Sequence, residues 1–207
     1  MVKEFWHNLI TEKSFGLLQN LRKQFDFVLI GGWAVYLYTQ SLKSKDIDMI
    51  VELETLGELK KIFNVSKNNR LKKYEIKTEG IDIDIYIPFW SNLGLSVTQI
   101  IQNTISLEGF KVPQKEILLI LKLFAYNQRK ASLKGEKDVL DIVSLLRTGA
   151  FNAQLFRTIF QNNNLSYLEQ ELKDILNSRV QIKELDMNSK QFSDFKKRIL
   201  AQLDISS

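Results

Sequence analysis

The chain has 207 residues, 44% of them hydrophobic and 26% charged, which suits a globular protein able to bury a core. Zero cysteines exclude disulfides and thiolate zinc sites, and a single histidine, His7, excludes multi-histidine metal sites. No apolar run reaches membrane-spanning length and the N-terminus lacks a signal-peptide core, so a cytoplasmic protein without a membrane partner is expected, while a formal net charge of +5 is consistent with an anionic partner.

Residues 3–24 have helical spacing, with Leu18, Leu21 and Phe25 on one buried face and His7 as an ordinary surface or packing residue. Phe27-Val28-Leu29-Ile30 reads as a short buried strand, followed at once by Gly31-Gly32 and an apolar helix start from Trp33 to Tyr38. The glycine pair has two readings. It permits a tight strand-to-helix turn, or it lets backbone N–H groups at a helix N-terminus approach a phosphate. A polar turn, Thr39 to Lys45, leads to a second strand that opens Asp46-Ile47-Asp48. Residues two apart in a strand share a face, so Asp46 and Asp48 point one way while Ile47 and Met49 point into a core. Two adjacent carboxylates repel each other, and a divalent cation between them removes the repulsion.

Thr55 to Phe63 predicts a helix packed on the sheet through Leu56, Leu59, Ile62 and Phe63. From Lys60 to Lys77 there are seven basic residues against one acidic residue, Glu75. This run is either a solvated face with a lysine-guarded edge strand or a track for nucleic-acid phosphates; the sequence shows no regular aromatic interleaving, which favours the first. Tyr74 to Pro88 reads as a hairpin turning at Glu79-Gly80, and Ile81 to Ile87 alternates strictly, with Asp82, Asp84 and Tyr86 on one face. Leu95 to Thr104 predicts a short helix, and Ile105 to Val112 a small hairpin around Glu108-Gly109. Pro113 marks a boundary. Beyond it, Lys115 to Arg129 is apolar over most of its circumference, as a helix buried on several sides must be. The rest is helical by periodicity, with breaks near 162–164, 177–179 and 187–189. Its stripes read as core: Leu155, Phe156, Ile159 and Phe160; Leu168, Leu172, Ile175 and Leu176; Phe192, Phe195, Ile199 and Leu203.

The stretch Ile30-Gly31-Gly32, thirteen intervening residues and Asp46-Ile47-Asp48-Met49 resembles the signature of the DNA polymerase beta-like nucleotidyltransferase superfamily. Many members carry Arg or Thr just before the first aspartate, where this chain has Lys43-Ser44-Lys45. The segment from Lys122, with Arg129, Lys137, Asp138 and Asp141, is similar to the AbiEii-like abortive-infection nucleotidyltransferases, and the likeness spans residues 27 to about 146. The resemblance implies an α+β fold: a mixed β-sheet flanked by helices over residues 1–113, then a C-terminal helical bundle over 114–207.

For chemistry, the resemblance implies two Mg²⁺ ions held by Asp46, Asp48 and a third carboxylate on the Ile81–Ile87 strand. Asp84 is the choice, because Asp-Ile-Tyr-Ile-Pro matches the superfamily pattern near a strand's end, with Asp82 in reserve. Gly31 and Gly32 would cradle the phosphates of a nucleoside triphosphate, with Ser44 and Lys45 facing them. Lys122 and Lys137 would neutralise the triphosphate, and Asp138 or Asp141 would orient them or act as a base. The bland alternative for Asp138 and Asp141 is stabilisation by a helix dipole. The implied reaction moves a nucleoside monophosphate to a hydroxyl acceptor, an RNA or tRNA end first, in a protein that a cognate antitoxin would partner. The competing reading is a catalytically silent module that binds nucleotide or a partner protein.

Overall fold

Val28-Leu29-Ile30 forms strand β1, and its three residues are all buried, as expected of the middle of a sheet covered on both faces. The computed structural model describes residues 2–78, 80–149 and 151–204, with side chains described from Asn8 to Leu203. The side chain of His7, and Glu79 of the expected turn, lie outside the described residues. The chain divides into two compact units, residues 1–114 and 115–207.

In the first unit, helix α1 (Val2–Gln24) precedes β1, and helix α2 (Gly31–Thr39) follows it without a linker. Strand β2 (Ile47–Ile50), helix α3 (Leu53–Ile62), strands β3 (Val65–Asn68), β4 (Lys73–Lys77) and β5 (Asp82–Tyr86), helix α4 (Val97–Gln102) and strands β6 (Thr104–Leu107) and β7 (Phe110–Pro113) complete it. The strands form a seven-stranded sheet in the order β3-β4-β5-β2-β1-β7-β6. β2 runs parallel to β5, β1 runs parallel to β7, and the other neighbours are antiparallel. The sheet is therefore mixed and flanked by helices, as expected.

Alternation sets its faces. Ile47, Met49, Ile83 and Ile85 are fully buried, while Asp48 and Asp84 between them are half-buried on the other side. The Trp33 indole is buried in α2, donates to Ser14 Oγ on α1 at 2.9 Å and packs on the Phe15 ring at 5.0 Å, which pins α2 to α1. Helix α3 buries Leu56 and Leu59, but Ile62, expected on the same face, is 61% exposed. It is the helix's last residue, where the chain turns off towards β3 and the facing surface ends.

The second unit is helical: α5 (Lys115–Arg129), α6 (Leu133–Arg147), α7 (Ala153–Asn162), α8 (Tyr167–Asn177) and α9 (Ser189–Asp204). Helix α7 ends at the first expected break, whereas the second and third are the two ends of one stretch, residues 178–188, that holds a 3-10 turn, Lys183–Leu185, in place of the helix that periodicity indicates. The expected stripes close the core: Phe156, Leu168, Leu172, Ile175, Leu176, Phe192 and Ile199 are all at most 2% exposed. Helix α5 is covered by α6, α7 and α8, which explains why its sequence is apolar nearly all round.

Candidate functional site

Pairing register assembles the candidate site. In β1–β2, Ile30 lies opposite Asp48; in β2–β5, Asp48 lies beside Asp84; in β4–β5, Glu75 lies opposite Asp84; and in β3–β4, Ser66 lies opposite Glu75. Residues paired across neighbouring strands share a face. Asp48, Asp84 and Glu75 thus form a row of carboxylates across three strands. Like charges side by side destabilise a sheet, so the row needs compensating charge.

Lys73 supplies part of it. Its Nζ lies 2.6 Å from Asp84 Oδ2 and 2.9 Å from Glu75 Oε1, with all three side chains largely shielded from water. Burial is the largest single influence on Lys73 and opposes its charge, but hydrogen bonds to Asp84 and Glu75 and their negative charge together outweigh it, raising its pKa above the ordinary lysine value. The hydrogen bond from Lys73 is the main reason that the Glu75 pKa falls below the usual glutamate value. Asp82 sits one pleat away, joined to Lys77 at 3.0 Å in an exposed pair. Asp84, not Asp82, is therefore the aspartate level with Asp48.

Gly31 fits this site for two reasons. Its φ is +68°, a left-handed conformation that side-chain-bearing residues rarely adopt. A Cβ built on it would collide with Asp48 Oδ2 and stand 2.6 Å from Asp48 Cγ. The Asp48 carboxylate therefore rests against the first residue of α2, in space that only glycine leaves open. That helix end has no side-chain cap and no acidic residue in its first turn, so its N–H groups and positive dipole end are directed at the region beside Asp48. Gly32 is buried in the same turn.

Asp46 lies just before β2, half-buried, with its Oδ1 shielded from solvent. Ser44 is buried and donates its hydroxyl to the Asp46 carbonyl at 3.0 Å, shaping the entry to the strand; Lys45 is exposed. Three carboxylates supply hard oxygen donors of the kind Mg²⁺ takes. As the side chains stand, no group of three or more His, Cys, Asp or Glu among the described residues is gathered tightly enough to hold a metal, and the Lys73 ammonium is the cation at Asp84.

The remaining expected residues cluster in the second unit. Lys122 Nζ lies 2.7 Å from Asp141 Oδ2 and 3.4 Å from Asp138 Oδ1, and Arg129 Nε and Nη2 reach Asp138 at 2.7 and 2.9 Å. Both aspartates are 1% exposed. Lys122 and Asp141 form a close ion pair. Helix α6 begins at Leu133, so Asp138 lies beyond its first turn, and burial against cations rather than the helix dipole accounts for both aspartates. Lys137 is half-buried on the same helix. Sequence reasoning missed Lys73 and Glu75, whose only signal was membership of the basic run; pairing of β4 with β5 gives them their place.

No family profile matches the sequence, and no curated protein matches it. Solved structures do. JHP933 from Helicobacter pylori superposes with a TM-score of 0.51 at 18% identity, covering 96% of this chain and 94% of that one. A second H. pylori structure, provisionally described as a nucleotidyltransferase, gives 0.52 at 18% identity over 96% and 97% of the two chains. An antigenic nucleotidyltransferase-like protein from Paracoccidioides brasiliensis is similar at a TM-score of 0.44, 17% identity and coverage of 86% and 96%. The chain has a nucleotidyltransferase-like fold.

Proposed function

We propose that the chain is a divalent-metal-dependent nucleotidyltransferase that moves a nucleoside monophosphate from a nucleoside triphosphate to a hydroxyl acceptor, an RNA end. The observation that carries this reading is the level pairing of Asp48 with Asp84 on adjacent parallel strands, beside a glycine whose missing side chain admits the Asp48 carboxylate. Asp46, Asp48 and Asp84 would hold Mg²⁺, which when bound supplies an acidified nucleophilic hydroxyl and charge stabilisation of the departing pyrophosphate. Gly31 and the uncapped first turn of α2 offer backbone N–H groups to the phosphates. Lys73 balances Asp84 and Glu75 before a metal arrives. The basic run Lys60–Lys77 supports a polyanionic acceptor. The AbiEii-like pattern extends the proposal to a toxin restrained by an antitoxin protein; growth arrest on expression that Asp48→Asn relieves is its check.

The direct test incubates the protein with Mg²⁺, each labelled nucleoside triphosphate and total RNA, and follows pyrophosphate release. Asp48→Asn and Asp84→Asn should each slow transfer about 100-fold or more, on the scale of a lost electrostatic stabiliser, and Asp84→Asn should also melt lower, because it takes one carboxylate from the shielded Lys73. A folded Asp48→Asn protein with wild-type transfer would sink the proposal. One observation favours the second reading, a silent binding module: Lys73 already occupies Asp84. Magnesium-dependent nucleotide binding, seen as a thermal shift, without turnover on any RNA would select it.

A further inference from the structure

The basic run and the chain beyond β5 meet in a way the linear sequence hides. Trp90 lies just after β5 and packs on Tyr74 of β4, with ring centroids 5.1 Å apart. Lysines surround this pair: Lys60 Nζ is 4.8 Å from the Tyr74 centroid, Lys67 Nζ is 4.7 Å from Trp90, and Lys72 Nζ is 5.8 Å from Trp90. Three separate elements, α3, β3 and the β3–β4 turn, deliver these cations. All three lysines are exposed. Among the described residues none of them is ion-paired with a carboxylate, and no acidic residue occurs between Lys60 and Lys72 in the sequence.

This cluster is separate from the carboxylate row. Tyr74 lies between Lys73 and Glu75 in β4, so alternation sends it to the opposite face of the sheet, where Lys67 is its register partner. Next to Trp90, Phe89 is 98% exposed and has φ +63°. A bulky aromatic held in the left-handed region with its ring in water gains nothing for the fold. Glycine would suit that backbone better.

We infer that Tyr74 and Trp90, with Lys60, Lys67 and Lys72 against their rings, and the exposed Phe89 that precedes Trp90 in the chain, form a docking patch for single-stranded RNA, the acceptor of the proposed reaction. The inference rests on that reading for the choice of RNA. Its own support is the combination of an exposed ring, Phe89, beside an aromatic pair with three exposed lysines that, among the described residues, have no carboxylate partner. Duplex RNA keeps its bases stacked and cannot use the rings. A protein partner would more readily cover an apolar patch with few cations.

The test uses a fluorescein-labelled 12-nucleotide single-stranded RNA of mixed sequence, its duplex form, and the full chain in EDTA without nucleotide. Wild-type protein should bind the single strand, and the duplex at least tenfold more weakly. The double variant Lys67→Ala/Lys72→Ala should bind about tenfold more weakly, with a log–log salt slope shallower by about 1.4, two phosphate contacts at about 0.7 each for a single strand. Phe89→Gly should lose binding several-fold with a melting temperature equal to or above wild type, an outcome that a merely structural phenylalanine would not give. Unchanged binding by both variants, equal binding of duplex, or no measurable RNA binding overturns the patch. Nucleotide transfer to a small hydroxyl compound without RNA binding would leave the enzyme reading standing and remove the patch; RNA binding with no transfer would do the reverse.

Discussion

At the scale of single residues, Gly31 sets a tight steric constraint on the candidate site. Its substitution by alanine meets a left-handed backbone and a collision with Asp48. Left-handed strain costs about 1 kcal/mol or more, and relief of the collision must move either α2 or the Asp48 carboxylate. Gly31→Ala should therefore lower stability in urea unfolding by about 1–3 kcal/mol and reduce transfer further than that loss explains. Gly57 is the control: in the middle of α3, with nothing within 4 Å of a built Cβ, its alanine variant should gain about 0.5–1 kcal/mol. Equal effects of the two substitutions would remove the special role assigned to Gly31. Lys73 gives a second residue-scale expectation. Replacing it with glutamine leaves Asp84 without its ammonium partner, so the Mg²⁺ concentration needed for half-maximal thermal stabilisation should fall, because the ion no longer competes with a tethered cation. An unchanged or higher requirement would show that Lys73 does not oppose metal binding.

At the scale of elements, the strict alternation from Ile81 to Ile87 was enough to place Asp82, Asp84 and Tyr86 on one face, and the glycine pair was enough to mark a strand-to-helix turn. Alternation could not choose between Asp82 and Asp84, because both obey it; only the parallel pairing with β2 puts Asp84 level with Asp48. The same limit hid Lys73, Glu75 and the Tyr74–Trp90 contact, which depend on how β4 pairs with β5 and where the chain turns after it. Helix α6 starts at Leu133, where Ser132 caps it by accepting from Gly135 N, and this sets Asp138 inside the helix. The buried network on α5 and α6 follows from that placement. Removing one partner of a buried ion pair costs about 3–5 kcal/mol, since the others are left charged without compensation. Lys122→Met should show a loss of that size in urea unfolding, with amide exchange rising first along α5 and α6. Arg129→Met, whose partner keeps Lys122 and whose side chain is 40% exposed, should cost clearly less. Equal losses would contradict the network as drawn.

At the scale of the whole molecule, composition sets the pH response. With one histidine and no cysteine, few side chains titrate near neutrality. The acid limb comes from carboxylates such as Glu75, whose folded pKa is lowered chiefly by its hydrogen bond from Lys73. A lowered carboxylate stabilises the folded chain above the unfolded pKa of about 4.3, and the contribution is lost as pH falls through the folded value. The advantage of wild type over Glu75→Gln should thus be full at pH 7 and vanish in strong acid. On the alkaline side two lysines oppose each other. Lys73, raised above its ordinary value, contributes below about pH 10.4 and loses that contribution as pH rises through its folded pKa. Burial lowers the Lys115 pKa, so its folded form sheds a proton first and stability there rises with pH up to the unfolded value. Both groups start from the ordinary lysine range, well above neutrality. Unfolding free energy should therefore stay within about 1 kcal/mol, less than one pKa unit of linkage, between roughly pH 5.5 and 9. A steeper slope in urea titrations across that window would mean that a group on this chain titrates near neutrality, and any pH optimum of transfer in the same window would then have to be assigned to that group rather than to the acceptor hydroxyl.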